Sequence, residues 1–362
     1  MNTRGRLFVV CFCDNIRFPF FNKKINMKEN KIRSADGVRG FALMIVVVMH
    51  STGLFFPSLH DHLGGTGQPG VWLFFVLSAF LLTHKFINSG FSFLNVLSYL
   101  LGRTIRILPI FYIAVLIYYL MGFYDLEKMK SIISFDSTYI HLWTIPIEFK
   151  FYFLLPIVVY LASSIQKVAG RKYSLLFLIL LTLAFAFIYP YTDDEINGRL
   201  PYYIPVFMYG IIIAFMYNYF QIKISSLVSD GVSIAIILIF IMLTPPFQGA
   251  NGWLGNKFVV LGPFIALFVY LQVNSSGYVS AVLSSKIMAD LGKYSFSIYL
   301  FHIMIIFIVY PKFLDNVTAY LVTIALCIGG GAIAYHCIES PLESFRHKLM
   351  KRITQAYQNQ NI

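Results

Sequence analysis

Long apolar runs separated by short polar segments recur from residue 40 to residue 338. Ten of them approach the length a helix needs to cross a hydrocarbon layer about 30 Å thick. They are 40–56, 71–88, 107–122, 142–161, 173–190, 201–219, 232–246, 257–273, 294–311 and 317–338. Inside each run the apolar positions are continuous rather than alternating, which predicts helices and excludes a barrel. In lipid the backbone must satisfy its own hydrogen bonds. The predicted fold is therefore all-α: a polytopic membrane protein with about ten transmembrane helices.

Composition agrees with that pattern. Of 362 residues, 58% are hydrophobic and 12% are charged, against about 25% charged in a soluble domain. The mean hydropathy is +0.72. A net charge of +12 would suggest nucleic acid as partner of a soluble protein. Here the bilayer is the expected partner, no nucleic acid is expected, and the charge is read as an orientation signal. Of the 28 Lys and Arg residues, 22 fall on one side of the predicted spans and five on the other, with Lys150 inside a span. Both termini are thus expected in the cytoplasm, as 1–33 and 342–362, with Met27 a proposed alternative start. The four cysteines, Cys11, Cys13, Cys327 and Cys337, give neither a disulfide framework nor a metal spacing. His60, Asp61 and His62 read as a polar outer loop, because no further metal ligand is near them.

Polar residues inside these runs are the candidates for chemistry, since an ionisable group at membrane depth is costly. Arg39 and His50 lie eleven residues apart, so they share one helical face about 16 Å apart along the axis. Glu148 lies about 9 Å inside the outer surface, and Tyr152 follows it by one turn on the same face. Estimated depths of Glu148 and His50 differ by only about 5 Å, so the two meet if their helices pack. A structural pairing of Glu148 with Lys150 or an arginine is the alternative. Ser295, Tyr299 and His302 form one polar stripe. It either lines a cavity or packs His302 between helices. Arg103 and Arg106 share a face at the cytoplasmic boundary, at the level of Arg39. Together the three arginines suit a phosphorylated ligand; singly they suit positive-inside anchoring. Ser78 suits a hydrogen bond between helices.

From about Ser34 to Pro341 these segments resemble the acyltransferase-3 family of integral membrane O-acyltransferases, which includes bacterial O-antigen and surface polysaccharide acetylases. The Arg-x10-His motif matches Arg39 and His50. Phe-Phe-x-x-Ser-Gly-Phe matches Phe74 to Phe80, with Ala79 in place of Gly. Arg-x-x-Arg-x-x-Pro matches Arg103, Arg106 and Pro109. Trp-(Ser/Thr)-x-x-x-Glu with Phe-Tyr matches Trp143, Thr144, Glu148, Phe151 and Tyr152. Ser-Tyr-Ser-x-Tyr-Leu-x-His matches Ser295 to His302, with Phe296 for the first Tyr, and Glu-x-Pro matches Glu339 and Pro341. Lys150 stands where the family more often has a neutral or acidic residue. Residues 34–341 therefore resemble the membrane domain of a single-module member.

The resemblance implies transfer of an acyl group, most simply acetyl, from cytoplasmic acyl-CoA to a hydroxyl of a cell-surface glycan or lipid-linked saccharide. The implied place is the bacterial inner membrane. No resident cofactor is implied; acetyl-CoA is a substrate. In this scheme Arg39, Arg103 and Arg106 bind the donor. His50 is the general base or the transient acyl carrier, and Glu148 orients it. Ser78, Tyr152, Ser295, Tyr299 and His302 line or support the cavity. Spacing alone leaves one rival class, a transporter or proton-coupled carrier of an anionic or acylated solute.

Overall fold

The chain's structure is a computed structural model, which describes residues 33–60, 63, 65–190, 199–220, 222–244 and 257–360. Among them all regular elements are helical. Expectations resting on Cys11, Cys13, Met27, Asp61 and His62, and on the basic residues before Arg33, lie outside the described residues.

The predicted spans fall on α1 (Arg33–Phe55), α3 (Gln68–Ser89), α4 (Phe93–Leu120), α6 (Thr144–Val168) and α7 (Arg171–Ile188). The later ones fall on α8 (Leu200–Tyr219), α9 (Ser226–Met242), α10 (Phe258–Asn274), α12 (Lys286–Val309) and α13 (Val317–Ala334). Short helices α2 (Pro57–His60), α5 (Leu126–Ile133) and α11 (Tyr278–Leu283) sit in the connections, and α14 (Ser340–Gln360) closes the described chain. Among the described residues, eight helices are long and apolar enough to cross a membrane. The two others, α9 and α10, are apolar but only 17 residues long. Side chains such as Leu180, Leu183 and Phe187 of α7, and Leu238 and Met242 of α9, face outward. Lipid solvates such a surface; water does not.

Two glycines set helix spacing at the site. α1 packs most extensively on α12. A Cβ on Gly292 would lie 1.7 Å from the Asp36 carbonyl oxygen, so only glycine lets these backbones approach as they do. α3 meets α8 the same way: a Cβ on Gly210 would lie 2.3 Å from the Val76 oxygen and 2.8 Å from the Ala79 Cβ. Gly210 thereby makes the room that Ala79, standing in place of a motif glycine, takes up.

Between α13 and α14 the helix widens into a π-turn, Tyr335–Glu339. Such turns break the α-helical register and recur at functional sites. Here the turn aims Glu339 inward, where it is buried, and α14 continues against α4.

Candidate active site

His50, on α1, lies beside His302, on α12. His50 Nδ1 and His302 Nε2 are 3.0 Å apart, with ring centroids 5.2 Å apart and planes at 23°. On the other side of its ring, His302 Nδ1 is 2.7 Å from the Tyr299 carbonyl oxygen. A carbonyl only accepts, so Nδ1 of His302 carries a proton. In neutral His302 the Nε2 then has the lone pair and accepts from His50 Nδ1–H. The remaining nitrogen, His50 Nε2, keeps its own lone pair. This chain of bonds selects the His50 tautomer suited to act as base or nucleophile.

A third histidine, His141, joins this group and was not singled out in the sequence. It is buried in the 3-10 turn Ile140–Trp143 that leads into α6, with its ring 4.8 Å from that of His302. Its Nε2 lies 3.1 Å from the Leu300 carbonyl, and its buried Nδ1 has no partner. The Tyr299 hydroxyl donates to the His141 carbonyl at 2.7 Å and accepts from Thr144 at 2.9 Å. Just before it, Ile140 has φ of 41°, a left-handed conformation that a β-branched residue rarely adopts. The usable signal was position: His141 stands two residues before the Trp143 that opens a recognised motif. Among the described residues no group of His, Cys, Asp or Glu side chains is arranged to hold a metal.

Glu148 is placed otherwise than expected. Its Oε1 accepts from Ser78 at 2.8 Å and from the Tyr152 hydroxyl. Ser78 and Tyr152 are themselves 3.2 Å apart. The structure does not bring Glu148 to His50; His302 occupies that place. Matching depth carries no information on which way Glu148 faces around α6. It faces α3, where Ser78 is. Lys150 is on the exposed side of α6 and does not pair with Glu148.

Arg39, Ser78, Thr144, Glu148, Ser295 and Tyr299 line one small cavity of about 60 Å³. That is space for about two waters. Tyr299 links this cavity to the histidines, since its side chain lines the cavity while its carbonyl holds His302. Of the three motif arginines, Arg39 lines this cavity. Arg39 stands within electrostatic reach of Arg103, Arg106, Asp36 and Glu148. Arg103 lies 5.8 Å from the centroid of the Tyr152 ring, and the Tyr99 hydroxyl fixes the Tyr152 carbonyl at 3.1 Å. Arg106 Nη2 is 3.8 Å from Glu339 Oε1, whose other oxygen accepts from Ser297 at 2.6 Å. Glu339 and Ser297 both fall within motifs matched in the sequence but are not among its candidate site residues.

A multi-pass helical bundle, with a part-buried histidine pair between α1 and α12 and arginines gathered on α1 and α4, defines the class as a helical membrane protein. The chain belongs to the acyltransferase domain family, acyltransferase-3, which matches residues 32–336. It is similar to the O-acetyltransferase OatA of Staphylococcus aureus strain NCTC 8325, with 26% identity over 348 residues, covering 85% of this chain and 56% of that protein. OatA of strain COL matches to the same extent. SACOL0978 of strain COL is 23% identical over 361 residues, covering 87% of this chain and 58% of that protein. The chain thus spans little more than half the length of these relatives. No solved structure matches it.

Proposed function

We propose that the chain is a multi-pass O-acyltransferase of the bacterial inner membrane. In this reading it moves an acyl group, most simply acetyl, from cytoplasmic acyl-CoA to a hydroxyl of a surface glycan or lipid-linked saccharide. The observation that carries it is the Tyr299 carbonyl–His302–His50 chain, which leaves His50 Nε2 unprotonated. The family and the names of the relatives support acyl, and specifically acetyl, transfer.

The steps follow from the residues. Arg39, Arg103 and Arg106 hold donor phosphates at the cytoplasmic mouth, where guanidinium forks match phosphate oxygens. The thioester then reaches His50 along the face that Arg39 and His50 share on α1. His50 Nε2 takes the proton of the acceptor hydroxyl as its oxygen attacks the thioester carbonyl. The new C–O ester bond forms, the C–S bond breaks, and the departing thiolate takes the proton from His50. His302 holds the imidazolium in place through its Nε2 lone pair. Glu148, Ser78 and Tyr152 act on the donor side, next to Arg39. A cavity of about 60 Å³ has to widen to admit a pantetheine arm.

Inverted membrane vesicles given acetyl-CoA labelled in the acetyl group test this. The expected result is label bound covalently to glycan, lost in His50→Ala. Label that crosses the membrane on an intact solute, with none on glycan, would instead establish a carrier.

A further inference from the structure

Arg346, on α14, belongs to no motif read in the sequence, yet it lies among the arginines of α4. A Cβ on Gly102 would be 3.5 Å from Arg346 Nη1 and 3.9 Å from its Cδ, so its guanidinium rests on the residue just before Arg103. Both Arg103 and Arg106 are within its electrostatic reach. Its Nη2 lies 3.2 Å from Glu343 Oε1 and 3.1 Å from His347 Nε2. Its Nε is buried and has no hydrogen-bond partner.

Each fact points the same way. The π-turn at Tyr335–Glu339 lays α14 against α4. Arg346 therefore faces the protein while Lys348 and Lys351 on the same helix are exposed. Glu343 holds the guanidinium from one edge, leaving Nε to another ligand. Like charges are gathered rather than dispersed: Arg106 pairs with Glu339 and Arg346 with Glu343, while Arg103, in electrostatic reach of Arg346, forms no ion pair among the described residues. Two ion-paired guanidinia beside a third with no carboxylate partner, and a buried donor left unused, make an arrangement that an anion completes.

We propose that Arg346 is a ligand for a phosphate group of the donor, and that α14 is therefore part of the donor site. The inference rests on the acyl-CoA reading above. Arg346 acts at the outermost, cytoplasmic edge of the arginine group and does not touch the reacting atoms. It sets donor affinity and leaves the chemical step alone.

The test combines binding and transfer. Labelled acetyl-CoA is bound to the purified full chain in detergent, with adenosine 3′,5′-bisphosphate, the phosphorylated nucleotide part of the donor, as competitor. Arg346→Gln is expected to weaken both by about tenfold, and Arg346→Lys, which keeps the charge without the fork, by less. In native vesicles, transfer from S-acetylpantetheine, which has no phosphate linked to a nucleotide, is expected to be equal in wild type and Arg346→Gln. Unchanged acetyl-CoA affinity in Arg346→Gln would overturn the proposal. So would an equal loss with S-acetylpantetheine, because that marks a role in packing α14. Failure of the wild-type chain to bind acetyl-CoA would overturn the acyl-CoA reading and this inference with it.

Discussion

The imidazole of His302 holds that of His50: their facing nitrogens are 3.0 Å apart, and the far nitrogen of His302 is bound to a backbone carbonyl at 2.7 Å. The carbonyl cannot donate, so the proton positions of both rings follow from it. In the proposed mechanism His302 is a positioning residue for His50. His302→Ala is expected to lower acetyl transfer about a hundredfold or more, while donor binding at the arginines stays intact. His302→Gln, whose amide oxygen can accept from His50 Nδ1, should recover part of the rate. Equal rates for wild type and His302→Ala would remove His302 from the account.

Glu148 contacts Ser78 and Tyr152 and makes no bond to His50. Glu148→Gln should therefore lower transfer and weaken the donor interaction without moving the midpoint of the pH–rate profile. A shifted midpoint, measured over the range where histidine titrates, would restore a direct coupling between Glu148 and His50.

The contact of Gly292 with the Asp36 carbonyl holds α1 and α12 together, and with them both histidines. Gly292→Ala places a Cβ where only 1.7 Å is free. A destabilisation of about 1–3 kcal/mol is expected from such overpacking, read as a lower Tm in detergent. Transfer should fall further than stability alone explains, because the His50–His302 distance changes. An unchanged Tm would show that the helices separate freely.

Arg106 and Glu339 form a partly buried pair at 3.8 Å, with side-chain exposures of 20% and 3%. Arg106→Ala leaves Glu339 buried with Ser297 as its remaining partner. It should cost more stability than the double variant Arg106→Ala/Glu339→Gln, in which no carboxylate is stranded. Additive losses in a double-mutant cycle would show that the pair is not coupled.

The apolar helices, eight of the described ones long enough to cross a membrane, were legible because length and hydropathy set them, and a single sequence carries both directly. The face shared by Arg39 and His50, and the stripe ending at His302, were legible because helical period orders side chains along one axis. Pairing across helices was not. His50, Glu148 and His302 had similar estimated depths, and depth says nothing of which helix lies alongside or which way a side chain faces. Gly292 held the missing information, since it permits the α1–α12 approach, but a lone glycine does not name its partner. His141 and Arg346 escaped for a different reason. The first depends on a left-handed Ile140, and the second on a π-turn that redirects α14; neither leaves a periodic mark.

The most direct measurement is transfer of labelled acetyl from acetyl-CoA to surface glycan in vesicles, comparing wild type with His50→Ala at equal amounts of folded protein. The account requires covalent label in wild type and none above background in His50→Ala, with acetyl-CoA still bound by both. Near-normal labelling by His50→Ala would contradict it.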